Sequence, residues 1–163
     1  MPDRWHNLPP VALVPTEATF NWFVRQLMIG GALSRSEKGK ALVGIVGGMA
    51  WQAGGIAAYV VTGECRGLMQ FTIAKDSAEI EQWVTAANAR GIGTTMLEWL
   101  VNKQGARTVS LFPIAGVAKV YENLGFVAGK GGYMTLTISA NNPCWADVSG
   151  VWKCFGPPPP PPS

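Results

Sequence analysis

The stretch from Ala78 to Val101 constrains the fold most, because a strand, a glycine-containing turn and a helix follow one another there. Ile80 to Thr85 is rich in apolar and β-branched residues and predicts a strand. Most residues from Arg90 to Thr95 have small side chains, and two of them are glycines. Thr94 to Asn102 predicts a helix, because its apolar residues recur at helical spacing.

This arrangement predicts a binding site for an anion. The first amides of a helix have no partner within the helix, and the helix dipole adds partial positive charge there. Glycine lets a phosphate approach the backbone closely. A dinucleotide fingerprint would need three glycines and a following acidic residue, and a nucleotide P-loop would need Gly-Lys-Ser/Thr. The sequence has neither, so the expected guest is another pyrophosphate-bearing cofactor.

The stretch Arg90 to Thr95 resembles the acetyl-CoA loop of the GCN5-related N-acetyltransferases, the GNAT family. The family pattern is Arg/Gln-x-x-Gly-x-Gly/Ala, directly after the fourth strand. Thr95 replaces the last glycine or alanine of that pattern. A second register, from Asn88 to Gly93, restores the glycine and loses the basic first residue. The register from Arg90 is preferred, and the other stays open.

A second motif resembles the same family. Lys119 to Phe126 is similar to the late helix that ends in Tyr-Glu-Lys-Leu-Gly-Phe, with Gly125 as the expected left-handed stop. It follows a predicted strand, Thr108 to Phe112, and precedes another, Tyr133 to Ser139. The asparagine common at the start of that helix is missing, since Ile114 or Ala115 lies there.

The resemblance covers approximately Ala41 to Ser139 and implies an α/β (α+β) fold. The expected architecture is a GNAT-like mixed, mostly antiparallel twisted sheet with helices on both faces. The strands ending near Thr85 and starting near Thr108 should be parallel and splay apart around the pantetheine arm. The expected domains are a GNAT-like acyl-CoA-binding domain over 1–140 and a Trp/Pro-rich C-terminal tail over 141–163. The chain also resembles compact GNAT-like proteins encoded in phage genomes.

The implied function is transfer of an acetyl group from acetyl-CoA to an amine acceptor, which the sequence does not identify. The residues that the resemblance assigns to acetyl-CoA are Val84, Thr85, Arg90, Gly91, Ile92, Gly93, Thr94 and Thr95. The loop amides would hold the pyrophosphate, and the backbone amide next to Thr85 would lie near the thioester oxygen. Tyr121 matches the family tyrosine that protonates the leaving thiolate. Its alternative role is that of a helix tyrosine whose ring only packs.

The predicted general base is a carboxylate on the strand before the loop. Glu79 and Glu81 lie two residues apart and therefore share a face of that strand. Members of the family often place a glutamate on this strand, and Glu81 is the better match. The alternative is that both carboxylates are only solvated on an exposed face.

The composition of the chain limits the kinds of partner and compartment that we expect for it. The chain of 163 residues carries a net charge of +3, and its basic residues are scattered, so no nucleic-acid stripe is visible. Cys65, Cys144, Cys154 and the single His6 make no metal-ligand pattern, and no metal is predicted. The odd cysteine count favours a reducing compartment. The expected location is the cytoplasm of a bacterial host, or a virion interior for a phage structural protein.

Two earlier segments carry expectations of their own. Thr16 predicts the cap of a helix that runs to about Met28 and stops at Gly30-Gly31, with a charged loop over Ser34 to Lys40. Ala41 to Gly63 contains no charged residue. Its length would allow a membrane helix, but its glycines and strand-forming residues favour a β-hairpin.

The chain ends in six consecutive prolines, Pro157 to Pro162. They predict a polyproline II rod, which is either a solvated tail or a docking peg for an aromatic-lined groove on a protein partner. Together with Thr95 and the missing asparagine, this tail motivates a second hypothesis. The chain would then be a catalytically inactive GNAT-like structural or binding protein, for example a phage virion component in an oligomer or assembly.

Overall fold

A computed structural model describes residues 10–34, 37–86, 91–113 and 117–159. In chain order, the elements are β1 (Val11–Leu13), α1 (Glu17–Ser34), α2 (Glu37–Gly47), β2 (Ile56–Val61), β3 (Glu64–Ala74), β4 (Ser77–Thr85), α3 (Ile92–Asn102), β5 (Thr108–Leu111), α4 (Ala118–Asn123), β6 (Val127–Ala128), a 3-10 turn (Lys130–Gly132), β7 (Met134–Thr137), β8 (Trp145–Val148) and β9 (Val151–Cys154).

Seven of the strands form one mixed sheet, in the order β1-β2-β3-β4-β5-β7-β6. The pairs β1–β2, β2–β3, β5–β7 and β6–β7 are antiparallel, and β4–β5 is parallel. Strands β8 and β9 form a separate antiparallel hairpin. The predicted fold class, a mixed and mostly antiparallel sheet with helices, is therefore confirmed.

The parallel pair is short. Its register runs from Ser77 opposite Thr108 to Ile80 opposite Leu111. Strand β5 ends there, whereas β4 continues to Thr85. Pro113 follows soon after β5, and proline has no amide hydrogen with which to extend a ladder. The last part of β4 thus extends beyond its register with β5.

The contacts divide the chain into two compact units, Met1–Phe71 with Glu81–Met96, and Thr72–Ile80 with Leu97–Ser163. In the first unit, α1 and α2 pack on one face of β2 and β3. The shared core consists of Val14, Phe20, Phe23, Leu27, Leu42, Val46, Ile56, Ala58, Val60, Cys65, Leu68 and Val84. On the other face of β3, Gly67 meets Ile92 and Met96 of α3. Helices therefore lie on both faces of the sheet within this unit.

The second unit carries an additional hairpin beside α3. Asn102 holds Trp152 by two hydrogen bonds of 2.9 Å, donating its amide to the Trp152 carbonyl and accepting the Trp152 N–H. The Cys154 N–H donates to the Glu98 carboxylate at 3.0 Å. Trp145 is buried, and its indole N–H donates to the Leu124 carbonyl at 2.7 Å. The β8–β9 hairpin is thus attached to both α3 and the end of α4.

The prediction of a β-hairpin over Ala41 to Gly63 is wrong in its first half. Helix α2 continues to Gly47, and only Ile56–Val61 within that run is a strand before the turn. Leu42 and Val46 lie one helical turn apart, and both are buried in the core under α1. Packing against a neighbouring helix therefore outweighs the strand preference of the β-branched residues. Within the described ranges, no helix is long and apolar enough to span a membrane.

The end of α1 also differs from the prediction. Thr16 accepts the Thr19 N–H at 3.2 Å, as expected for a cap. The helix does not stop at Gly30-Gly31 but continues to Ser34, and α2 begins at Glu37, inside the predicted loop. A glycine inside a helix costs only about 1 kcal/mol, which the shared core of α1 and α2 can offset.

Candidate functional site

The turn before α3 has the geometry of a helix start. Gly91 has φ of +74°, in the left-handed region that favours glycine, and a Cβ there would meet nothing within 4 Å. Its carbonyl accepts both the N–H and the hydroxyl of Thr95, at 3.1 Å and 3.0 Å. The helix therefore begins at Ile92, two residues before the predicted start.

Three amides at this start are ones that a helix leaves without a partner of its own. Those of Ile92, Gly93 and Thr94 precede the first hydrogen bond within the helix, so α3 supplies no partner for them. The helix dipole adds positive potential at the same point. Thr95 differs, because its amide and hydroxyl are both engaged by the Gly91 carbonyl and close the first turn. Arg90 and Asn88, on which the choice of register depends, lie outside the described residues.

Gly67 allows α3 to approach the sheet. A Cβ on Gly67 would lie 2.8 Å from the Met96 sulfur, 3.2 Å from Ile92 Cγ2 and 3.4 Å from the Val84 carbonyl oxygen. A side chain at this position would require the Met96 thioether to move, whereas glycine leaves room for it. The isolated glycine within the pattern of β3 was the available sequence signal for such a close approach, and the sequence reasoning above does not use it.

At the end of β4, the amides of two successive residues, Thr85 and Ala86, point to opposite edges of the strand. The Ala86 N–H donates to the Arg66 carbonyl at 2.8 Å, so it is used in the contact with β3. Successive amides of a strand point to opposite edges. The Thr85 N–H therefore points to the opposite edge of β4, where the pairing with β5 has already ended at Ile80. The side chain of Val84 is buried in the core and fixes this segment.

Glu81 belongs to a small polar network. The Gln70 side-chain amide donates to the Glu81 carboxylate at 3.1 Å and to the Gln52 side-chain carbonyl at 3.2 Å. Glu81 itself is exposed, as is Glu79 two residues earlier. The carboxylate is thus oriented by a neighbour and still reaches solvent. Gln52 and Gln70 were not predicted from the sequence, because Gln70 lies 11 positions before Glu81 and 18 positions after Gln52.

Tyr121 lies on α4 in the second unit, whereas Glu81 and the Gly91 turn belong to the first. Its ring is half-buried and meets Phe126 edge to face, with centroids 5.8 Å apart. Burial raises the pKa of Tyr121 above its usual range, so the phenol stays protonated at neutral pH. Gly125 follows the helix with φ of +100°, which confirms the predicted left-handed stop.

The cysteines of the described residues are free thiols. Burial raises the pKa of Cys65 to about 12, ahead of a smaller opposing effect of its hydrogen bond to the Gly67 carbonyl. A thiol of this kind stays neutral and is a poor nucleophile. Among the residues that the structure describes, no three or more His, Cys, Asp or Glu side chains could hold a metal ion.

Solved structures share this fold. A GNAT-family acetyltransferase from Bacillus cereus aligns with a TM-score of 0.52 at 9% identity, over 79% of this chain and 96% of its own. The ribosomal-protein-S18-alanine N-acetyltransferase from Escherichia coli gives 0.51 at 16% identity, over 81% and 96%. The N-acetylglutamate synthase from Neisseria gonorrhoeae, solved with coenzyme A and N-acetyl-glutamate, gives 0.52 at 13% identity, over 79% of this chain and 35% of its own.

The sequence matches no protein-family model and no curated protein. The identities to the solved structures are low, so the likeness concerns the fold. That fold, a mostly antiparallel seven-stranded sheet with helices, is the GNAT fold.

Proposed function

We propose that the chain is a member of the GNAT superfamily that transfers an acetyl group from acetyl-CoA to an amine. The observation that carries the proposal is the helix start after β4. Gly91 is left-handed, the amides of Ile92 to Thr94 have no partner within α3, and Gly67 lets this turn lie against the sheet. A pyrophosphate is an anion of the right kind for such a site.

The residues proposed to hold acetyl-CoA belong to the first unit. The amides of Ile92, Gly93 and Thr94 bind the pyrophosphate, and Thr95 keeps their turn closed. Arg90, by its place in the sequence motif, adds a positive charge. Val84 and Thr85 supply the backbone of the β4 edge for the pantetheine arm, and the Thr85 N–H donates to the thioester oxygen.

Two side chains are proposed to move protons. Acetyl-CoA supplies the activated acetyl group as a thioester. Glu81 takes a proton from the acceptor amine, directly or through a water, as the new C–N bond forms. Tyr121 gives its phenolic proton to the sulfur as the C–S bond breaks. One proton leaves the amine for Glu81 and one passes from Tyr121 to the sulfur; Glu81 then releases its proton to solvent and Tyr121 takes one up, which restores both groups.

Calorimetry with acetyl-CoA tests the site. Gly93→Glu places a carboxylate among the amides that bind the pyrophosphate, and we expect binding to be abolished. The fold should persist, since the nearest atom to a Cβ on Gly93 is a Trp83 ring carbon at an ordinary 3.5 Å.

A matched control is Gly44→Glu, in α2, where a Cβ would meet nothing within 4 Å. This variant carries the same charge on a helical glycine and should keep the affinity of the wild type. Unchanged binding by Gly93→Glu, or an equal loss in both variants, would contradict the proposed cofactor site.

The proline tail is proposed as a second, separate binding element for a protein partner. Pro157 to Pro159 are exposed, and Phe155 just before them is 68% exposed. A polyproline rod loses little entropy on docking to an aromatic groove. If the partner of the tail is a component of a phage virion, the protein should purify with a large assembly. If the full-length chain and a chain without the tail form the same complexes, both when purified and in lysate, the proposed role of the tail is contradicted.

A further inference from the structure

The first unit contains a small cavity of about 120 Å³, which is lined by residues of α1, α2 and β3. Leu27, Leu42 and Cys65 form part of its wall and also belong to the core of this unit. Ordinary ligand pockets measure roughly 300–1,000 Å³. This cavity therefore suits one small group of a ligand and is too small for a whole substrate.

Arg66 brings a buried hydrogen-bond donor to the cavity. Arg66 lines the cavity, and its Nε atom is buried and has no hydrogen-bond partner among the residues that the structure describes. Its Nη2 atom lies 3.3 Å from the carboxylate of Glu64, so this ion pair balances the charge of Arg66 and leaves Nε unused. A buried donor without a partner costs free energy. An acceptor atom supplied by a ligand would remove that cost.

An irregularity of β3 gives Arg66 its position. The register between β2 and β3 shifts between Tyr59 and Val60, and Arg66 is the residue of β3 that has no partner there. A bulge of this kind changes the direction of a side chain, and bulges are frequent beside functional sites. The sequence therefore interrupts a regular ladder at the one residue that carries the unused donor.

The cavity adjoins the place proposed for the thioester. Ala86 lines the cavity, and the Ala86 N–H donates to the Arg66 carbonyl at 2.8 Å. Ala86 directly follows Thr85, whose N–H is proposed to hold the thioester oxygen, and consecutive Cα atoms are about 3.8 Å apart. These residues all belong to the first unit. An acceptor with one group in the cavity can thus bring its amine to the thioester.

The side chains at the cavity favour a neutral acceptor of hydrogen bonds. Gln26 also lines the cavity, and its side-chain oxygen accepts the Cys65 N–H at 3.0 Å, so its NH₂ group remains a donor. Glu64 already balances Arg66 and would repel a second carboxylate. Resting on the acetyl transfer proposed above, we propose that this cavity is the acceptor subsite and selects an amine that carries a neutral amide carbonyl, which accepts the Arg66 Nε–H.

The test compares specificity constants for glycinamide and isobutylamine, which has the same shape with an isopropyl group in place of the carboxamide. Arg66→Lys keeps the charge beside Glu64 and removes the Nε donor. The ratio of glycinamide to isobutylamine should fall by about 10- to 100-fold in this variant, the range for a hydrogen bond to a charged group. Comparing the ratio between two proteins cancels the different basicities of the amines.

Arg25→Lys is the matched control, because Arg25 is an exposed residue of α1 in the same unit and does not line the cavity. It should leave the ratio unchanged. Both variants should bind acetyl-CoA with the affinity of the wild type, since the pyrophosphate is proposed to bind the amides of Ile92 to Thr94. This measurement by calorimetry also shows that the variants are folded.

Nuclear magnetic resonance of the wild type gives a readout that does not need turnover. The Nε–H signal of Arg66, assigned through its backbone, should shift when glycinamide is added in the presence of coenzyme A, and isobutylamine should leave it unmoved. This shift without transfer to any amine would support the subsite and overturn the acetyl transfer. Transfer with the same ratio in wild type and Arg66→Lys, or a signal that responds to glycine and not to glycinamide, would overturn the subsite alone. An unmoved signal together with no acetyl-CoA binding would overturn both.

Discussion

The proposed proton transfer to the leaving thiolate depends on a single hydroxyl, that of Tyr121. If Tyr121 protonates the leaving thiolate, Tyr121→Phe should lower the turnover number by roughly 100-fold or more, the usual range for one proton-transfer group. Turnover and specificity constant should fall together, because the interaction is made only in the transition state. Steady-state kinetics with an amine acceptor measure both. Equal rates for the two proteins would remove Tyr121 from the mechanism.

The same variant has controls in the structure and in its pH profile. The contact of the ring with Phe126 does not involve the hydroxyl, so this packing should be kept. The acetyl-CoA affinity should be kept as well, because it is proposed to come from backbone amides of the loop. Burial raises the pKa of Tyr121, and the proposed mechanism needs the protonated form. The wild type should therefore lose turnover at alkaline pH only above the range in which an ordinary tyrosine ionises. Tyr121→Phe should lack that loss.

The β8–β9 hairpin depends on side chains of α3 more than on strand pairing with the main sheet. Asn102→Ala removes both hydrogen bonds to Trp152 and leaves the Trp152 N–H and carbonyl without this partner. The free energy of unfolding should fall by about 1–3 kcal/mol. Lys103→Ala changes the neighbouring exposed residue and should cost less than about 0.5 kcal/mol.

Urea unfolding of both variants measures the difference, and amide exchange at Trp152 reports where it arises. Equal unfolding free energies for Asn102→Ala and Lys103→Ala would mean that the hairpin is held by other contacts. Faster exchange confined to β8 and β9 in the asparagine variant would support the attachment to α3.

Elements with a local signal were predictable, and elements that depend on distant packing were not. The Gly91 turn, α3 and the Gly125 stop follow from glycine conformation and helical spacing, which neighbouring residues decide. Helix α2 could not be predicted from its neighbouring residues. Several of its residues favour strands, but their core contacts with α1 and the sheet stabilise a helix. The polar partners of Glu81 likewise come from other elements and leave no pattern in the sequence.

The β8–β9 hairpin had a local signal that the sequence reasoning did not use. Two residues, Ser149 and Gly150, separate the strands, and both have positive φ, at +55° and +88°. This is the conformation that favours tight hairpins. Asp147 supports the turn by accepting the Gly150 N–H at 2.7 Å. The segment was difficult to interpret because its aromatic residues stand next to the proline run.

Two truncations test the predicted division between residues 1–140 and 141–163. A chain ending at Gly156 lacks only the prolines and Ser163, and its melting temperature should be unchanged, because Pro157 to Pro159 are exposed. A chain ending at Ala140 also loses Trp145, whose side chain is buried. Burial of one large apolar side chain is worth about 1.5–3 kcal/mol, so this chain should melt at a lower temperature. Equal melting temperatures would support an independent domain that ends at 140.

The attachment of the hairpin to α3 has a consequence for the nascent protein. Asn102 and Glu98 bond to residues 50 and 56 positions later in the chain. At a synthesis rate of about 5–20 residues per second, α3 is complete roughly 3 to 10 seconds before Trp152 and Cys154 are added. During that interval the side chains of Asn102 and Glu98 are bonded to water. The attachment between α3 and the hairpin can therefore form only after the last strands have been added, so it contributes nothing to the stability of a shorter nascent chain.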